Sequence, residues 1–356
     1  MKQTIMMRVN NEEPELDKIR IAASIIRKGG LVAFPTETVY GLGADALNPK
    51  AVAGIYAAKK RPLDNPIIVH VSSKEEAKKI LEDVPESAVK LMDVFWPGPL
   101  TLVLKASENV PKITTAGSDT VAVRMPKHKV ALALIRESGT PIAAPSANLS
   151  GRPSPTTAQH VEQDLVGRID LILDAGSTQV GVESTVLDLS RYPPQILRPG
   201  GVTYEELNKI LGKVELHPAA IAEQGISIAQ ARSPGMKHKH YAPNAEIIVV
   251  EGESNAIIKK VQELANRYFE MGKKIGVLAS DENMSIYRAD VVKSFGSRED
   301  LATVAKNLFG LLREFEKEKV DIIIAEGITL KGLGLAVMNR LRRASGFNIV
   351  KANDEN

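Results

Sequence analysis

Several short stretches of this sequence place cations, hydroxyls and amides where a folded chain could present them to a small polar molecule. Lys59 and Arg61, in KKRPLDNP (59–66), are one residue apart at the end of a helical pattern, just before Pro62. Such a pair can converge on a polyanion, a nucleoside triphosphate among the candidates, or simply complement a helix dipole. Asn65 adds a neutral donor and acceptor beyond them. His70 ends an apolar run, where a histidine is either a satisfied core residue or a site residue. Arg124, in VAVRMP (121–126), is flanked by Ala and Val; a guanidinium so placed needs an anionic partner, either a substrate carboxylate or an internal acid. Ser146, Asn148, Ser150 and Ser154 follow a proline in APSANLSGRPS (144–154). Ser184, in GVEST (181–185), and Arg198, in LRPGG (197–201), repeat the arrangement at the ends of further apolar runs.

The stretch that organises these is FPTETVYGLG (34–43). The apolar run Leu31-Val32-Ala33 reads as a buried strand that Pro35 ends, since proline has no N–H to donate. Thr36, Glu37 and Thr38 then lead into a loop punctuated by Gly41 and Gly43. Alone, this is either an ordinary strand-to-loop turn or a binding loop at a strand end.

The inventory narrows the chemistry. There is no Ser-His-Asp order, no HExxH or CxxC motif, and no dense carboxylate cluster to hold a metal. Positioned cations and hydroxyls without a covalent nucleophile fit phosphoryl or nucleotidyl transfer, in which positioning and charge stabilisation dominate. Magnesium would then arrive with the phosphates.

The elements that must position these residues form two blocks. Leu16, Ile19, Ala22, Ala23 and Ile26 recur at helical spacing, and Gly29-Gly30 stops that helix. Asn48-Pro49 starts a helix to about Lys60. Strands are expected at 31–34, 67–71, 100–105, 121–124, 142–144, 171–173, 186–189 and 196–198, with helices between them and a closing helix at 204–211: a mixed α/β block without clean βαβ alternation. From Glu246 strands and helices alternate regularly, with strands at 247–250, 275–279, 291–295 and 321–325, which argues for a small parallel sheet. No GxGxxG or GxxxxGK[ST] follows its first strand, so it receives no nucleotide site. Between the blocks, residues 213–245 show little periodicity. Arg232, Lys237, His238, Lys239 and His240 gather there around Ser233-Pro234-Gly235. The expected organisation is therefore 1–212, a linker at 213–245, and 246–356.

Composition sets outer limits. The 356 residues suit two domains, and 44% apolar with 25% charged residues is ordinary for a globular protein. A net charge of +3 does not by itself argue for nucleic-acid binding. The absence of cysteine excludes disulfides, thiolate nucleophiles and cysteine-held zinc or iron–sulfur sites. With no apolar leader and no run approaching eighteen apolar residues, a soluble cytoplasmic protein with no membrane association is expected.

Taken jointly, FPTETVYGLG, KKRPLDNP, WPGPLT (96–101), VAVRMP, PSANLSG (145–151), ESTV (183–186) and RPG (198–200) resemble the YrdC family. SPGMKHKHYAP (233–243) is similar to the linker signature of its two-domain branch, the threonylcarbamoyl-AMP synthases. The resemblance covers roughly residues 4–347. It implies a YrdC-like twisted α/β sheet around a concave, positively charged cavity, followed by a small Rossmann-like parallel α/β domain. It implies synthesis of threonylcarbamoyl-adenylate from L-threonine, bicarbonate or CO2, and ATP with Mg2+, with release of pyrophosphate. Partner proteins then transfer the threonylcarbamoyl group to tRNAs that read codons starting with A. By position, Lys59, Arg61, Ser146 and Asn148 match the catalytic KxR and SxN pairs. Arg61, Asn65, Thr120, Ser146, Ser154, Arg198 and Tyr241 match ATP contacts, and Thr38, His70, Arg124 and Ser184 match the threonine pocket. Tyr241 lies in the linker, which would then close over the nucleotide as a lid. Ala144-Pro145 departs from members that carry hydroxyls there and receives no contact. Glu37 is an unattractive base, because solvent or bicarbonate could take the proton of threonine's amine. The rival from another class is a double-stranded RNA or tRNA binding module. The basic concave surface that the resemblance implies favours it, while aromatic content of 4% and the lack of an RNP-type motif count against base stacking.

Overall fold

The computed structural model describes residues 2–221 and 241–352. The chain forms two compact units; in these residues the first comprises 2–150 and 154–220, the second 151–153, 221 and 241–352. The tripeptide 151–153, within the serine-rich motif, thus packs with the second unit. There Arg152 pairs with Glu316 at 2.6 Å and Arg313 donates to the Pro153 carbonyl at 2.5 Å.

The first unit is built on one eleven-stranded mixed sheet. Its strands are β1 (Ile5–Arg8), β2 (Val32–Phe34), β3 (Gly41–Asp45), β4 (Val69–His70), β5 (Leu100–Lys105), β6 (Thr120–Arg124), β7 (Ile142–Ala143), β8 (Leu171–Asp174), β9 (Thr185–Asp188), β10 (Gln195–Arg198) and β11 (Glu215–Leu216). Their order across the sheet is β1-β8-β2-β3-β7-β4-β6-β5-β9-β10-β11. Alternate residues of β2 feed different cores. Val32 and Phe34 pack with Ile19, Ala22, Ala23 and Ile26 of helix Leu16–Arg27 and with Val130, Leu134 and Ile135 of helix Lys129–Ser138. Ala33 joins the larger cluster with Val52 and Ile55 of helix Pro49–Lys59. This is the period-two alternation of a strand covered on both faces. Asn48 caps helix Pro49–Lys59 as expected, its side chain accepting from the Lys50 and Ala51 N–H groups.

The second unit carries a five-stranded, wholly parallel sheet: β12 (Glu246–Gly252), β13 (Ile275–Ala279), β14 (Val291–Ser294), β15 (Ile322–Glu326) and β16 (Ile349–Ala352), in the order β14-β13-β15-β12-β16. Helices Ser254–Glu270, Leu301–Glu318 and Leu333–Ala344 lie between them in sequence. Among the described residues no helix is long and apolar enough to cross a membrane.

Four strands were not legible in the sequence pattern. β1 is exposed to partly buried and is recruited by parallel pairing with β8. β16 attaches in the same way to β12. β11 and the short helix Pro218–Ile221 lie where an unstructured linker begins in the sequence reading, with β11 pairing parallel to β10. The fourth is β3. Gly41 and Gly43, read as loop punctuation, lie within a strand antiparallel to β2. They are small because of packing: a Cβ on Gly43 would lie 2.8 Å from both Ile142 Cγ2 and Phe34 Cε1. Residues 222–240, which hold most of the expected lid, lie outside the described residues.

Candidate functional site

The ends of five strands bring the motif residues to one edge of the large sheet. β4 and β6 are parallel, and their last residues, His70 and Arg124, are register partners. β5 runs antiparallel to β6, β9 runs parallel to β5, and Arg198 at the end of β10 pairs with Val186 of β9. Thr101, Ser184 and Arg198 therefore reach the same edge as His70 and Arg124. Thr120 starts β6 and sits at the opposite end of that strand, about 13 Å from Arg124 at ordinary strand rise. Its hydroxyl meets the Ser118 hydroxyl at 2.9 Å.

The loop after β2 is the hub. Its main chain accepts from Val180 N–H at the Glu37 carbonyl and from Gly181 N–H at the Thr38 carbonyl. Tyr40 N–H donates to the Pro155 carbonyl, Tyr40 C=O accepts from Ala147 N–H, and Leu42 N–H donates to Pro145 C=O. The FPTETVYGLG, PSANLSG and GVEST motifs are thereby tied together through backbone groups that any sequence carries. Thr36 Oγ1 and Thr38 Oγ1 are 2.8 Å apart, and Thr36 also donates to the Val39 carbonyl.

Each buried cation holds a loop. Lys59 Nζ donates to the Ser146 carbonyl and to the Asn148 carbonyl at 2.5 Å, and Ser150 N–H returns a bond to Lys59 C=O. The lysine therefore fastens the serine-rich loop to the end of its own helix. Arg61 Nε donates to Asn65 C=O at 3.1 Å and Nη2 to Pro66 C=O at 2.8 Å, closing the RPLDNP loop on itself. Arg198 donates from Nη2 to the Ser184 carbonyl at 3.0 Å and to Ser184 Oγ at 3.3 Å. Ser184 Oγ lies 2.8 Å from Thr101 Oγ1. Gly200 lets RPG and EST approach this closely, because a Cβ there would lie 2.2 Å from the Glu183 carbonyl oxygen. Ser154 donates to the Glu183 carboxylate at 2.5 Å.

Arg124 has an internal anionic partner. Its Nη2 is 2.6 Å from Glu37 Oε2, both side chains being 4% exposed. The contact is an ion pair without hydrogen-bond alignment: neither carboxylate oxygen of Glu37, nor Arg124 Nη2, has a hydrogen-bond partner. Arg124 also donates from Nη1 to Thr38 Oγ1 at 3.0 Å and from Nε to the Gly98 carbonyl at 3.2 Å. Beside it, burial and the Arg124 charge push the His70 imidazole down to about 3, so it is neutral at ordinary pH. His128 is pushed down to about 4 by burial, against the pull of Glu37 and Glu12. Nδ1 of both histidines lacks a partner, as do both amide atoms of the buried Asn65.

Lys59 with Ser146 and Asn148, Arg198 with Ser184, and Arg124 with Thr38 thus form local bonded groups, Arg61 closes its own loop on Asn65, and His70 lies beside Arg124 with unmet hydrogen-bonding capacity. Tyr241 belongs to the second unit, where it adopts φ +68°. Its ring centroid lies 5.2 Å from that of Phe309 and 5.6 Å from the Arg340 guanidinium carbon. Sequence reasoning missed Glu37 as the partner of Arg124, Thr101 as the support of Ser184, and Glu183 as the acceptor of Ser154. Thr101 and Glu183 lie inside recognised motifs and could have been found there. His128 carries no sequence signal.

A mixed α/β unit with buried cations and hydroxyls along one end of its sheet is followed by a unit built on a parallel sheet. Comparison makes this specific. Residues 24–200 match the Sua5–YciO–YrdC family model, described as "Telomere recombination", and residues 202–346 match the threonylcarbamoyl-AMP synthase C-terminal domain. A threonylcarbamoyl-AMP synthase of Pyrococcus abyssi is 53% identical over 348 residues, covering 98% of this chain and 99% of that protein. One of Bacillus subtilis is 48% identical, covering 94% of each. The crystal structure of P. abyssi Sua5 complexed with L-threonine superposes with a TM-score of 0.93, covering 98% of this chain and 100% of that one. The chain belongs to the two-domain threonylcarbamoyl-AMP synthase family, whose members are nucleotidyltransferases.

Proposed function

We propose that this chain joins L-threonine, bicarbonate or CO2, and ATP into threonylcarbamoyl-adenylate, releasing pyrophosphate. The observation that carries the proposal is Asn65: its amide is buried, and neither polar atom has a protein partner, in the loop that Arg61 closes. A buried amide left unpaired costs about 1–3 kcal/mol, so a ligand that meets it recovers that energy. The names of the relatives, and the L-threonine bound in the Pyrococcus abyssi structure, support the choice of substrates.

In this reading Arg61, Asn65, Ser146 and Asn148 surround the triphosphate. Lys59 acts at the same place by holding the Ser146–Asn148 backbone rigid. Arg198, Ser154 and Thr120 complete the nucleotide contacts within the first unit. Arg124 takes the threonine carboxylate through its remaining N–H groups, and Thr38 and Ser184 line the pocket with hydroxyls. His70, neutral and with Nδ1 free, can hydrogen-bond the threonine hydroxyl. Valine would leave it unpaired, and that asymmetry discriminates better than an apolar wall. A carbamate oxygen attacks the α-phosphorus as the pyrophosphate oxygen leaves in line; cations fixed beforehand lower the barrier without reorganising. Among the described residues no three His, Asp or Glu side chains gather to hold a metal. Magnesium would come with the ATP phosphates, keep waters as ligands and neutralise phosphate charge. The product would serve cytoplasmic transfer machinery that modifies tRNAs reading ANN codons.

The test is incubation with ATP, threonine, bicarbonate and magnesium. Threonine-dependent pyrophosphate release is expected. Its absence, with retained affinity for tRNA, would replace this reading with an RNA-binding one.

A further inference from the structure

Around Arg124 the interior holds more unmet polar capacity than a guanidinium site for a carboxylate needs. Both Glu37 oxygens, Arg124 Nη2, His70 Nδ1 and His128 Nδ1 are all without hydrogen-bond partners. A buried carboxylate ordinarily accepts several hydrogen bonds, and this one has an ion pair alone. Two lone-pair-bearing oxygens aimed at no donor call for a donor, and a positively charged one would serve best. Glu37 and Arg124 touch side by side, so they display opposite charges next to each other. An α-amino acid zwitterion holds an ammonium and a carboxylate next to each other as well, fixed by its own covalent geometry.

We propose that Glu37 is a substrate-binding residue that receives the ammonium group of the amino acid whose carboxylate Arg124 holds. The pair then reads the zwitterion as a unit. The backbone supports this placement: the carbonyls of Glu37 and Thr38 are held by Gln179, Val180 and Gly181 N–H groups, so the carboxylate and the Thr38 hydroxyl are presented from a fixed loop. The site selects against molecules with the same carboxylate and hydroxyl but no amine. This inference rests on the functional reading above and adds to it a determinant that selects for the amine.

The test is calorimetric binding of L-threonine and of (R)-3-hydroxybutyrate, which keeps the carboxylate and hydroxyl and lacks the ammonium. The proteins are the full chain and its Glu37→Gln and Glu37→Asp variants, with circular dichroism as a check on folding. The wild type is expected to prefer threonine by about 10- to 100-fold, the range of a charge-assisted hydrogen bond. Glu37→Gln is expected to abolish that preference while hydroxybutyrate binding persists or tightens, and Glu37→Asp to restore part of it. A parallel loss of both ligands in Glu37→Gln would overturn the assignment, because it would show that Glu37 only orients Arg124. Should that variant not fold, the wild type decides, and equal affinity for the two ligands overturns the proposal. Failure of the wild type to bind threonine at all would instead overturn the functional reading beneath it.

Discussion

The two units each bury a carboxylate against an arginine, and they treat it in opposite ways. In the second unit Glu326 ends β15, fully buried, and every donor around it is aligned. It accepts from Ser280 N–H at 3.2 Å, Asn283 Nδ2 at 3.0 Å and Arg298 Nη2 at 2.6 Å, and from the Tyr287 hydroxyl. In the first unit Glu37 meets Arg124 at 2.6 Å with no aligned donor, and unpartnered histidine nitrogens lie nearby. A carboxylate whose oxygens already accept from four donors holds those donors in place and has little capacity left for a ligand. An unsaturated one costs stability and is worth that cost where a ligand completes it. Burial alone therefore does not separate the two carboxylates; hydrogen-bond saturation does.

The comparison can be broken in several places. The largest effect is expected at Glu326. Glu326→Ala would leave Arg298, Tyr287 and Asn283 without their acceptor and cost about 3–5 kcal/mol by urea denaturation, while pyrophosphate release per folded molecule stays near wild type. Lost turnover in a stable Glu326→Ala protein would show that saturation is no guide. The next effect is expected at Arg61, which closes the RPLDNP loop through the Asn65 and Pro66 carbonyls. Arg61→Ala should lower threonine-dependent pyrophosphate release about 10²- to 10³-fold while the protein remains folded by circular dichroism. Retained activity with normal ATP affinity would remove the phosphate assignment.

The histidines give the next effect, with a definite sign. His70 and His128 have folded values of about 3 and about 4, below the ordinary 6.5. Below pH 6.5 the unfolded chain thus binds protons that the folded one refuses. Stability is then complete above that pH and falls as the pH is lowered, by about 2 kcal/mol per histidine between pH 7 and 5. A urea midpoint followed over this range should show the slope, and His70→Asn with His128→Asn should flatten it. An unchanged slope in the double variant would place the titration elsewhere. The smallest effect is expected at Thr101. Thr101→Val removes the 2.8 Å partner of Ser184; a loss of about 1 kcal/mol, read as a several-fold rise in the KM for threonine with kcat unchanged, would locate Ser184 at the threonine. A change in kcat alone would move it to the reacting phosphate.

Legibility in the sequence followed locality. The helix caps, the strand ends at Pro35, and the regular second block were readable because each depends on neighbouring residues. β1, β11 and β16 were not, because weakly patterned strands are recruited by long-range pairing. Gly41 and Gly43 misled for the same reason: a loop glycine and a packing glycine look alike until Phe34 and Ile142 are seen against them.

The order and spacing of the motifs determined the family by themselves, and the types of residue in each loop set what chemistry it could offer. Residue type sets what a side chain can donate, accept or neutralise, and that is local information. Which of those side chains remain unsatisfied was decided only by the tertiary structure. The sequence offered Arg124 either a substrate carboxylate or an internal acid as its partner. The fold supplies Glu37 and leaves its oxygens open, because hydrogen-bond alignment depends on where separate strands bring their ends.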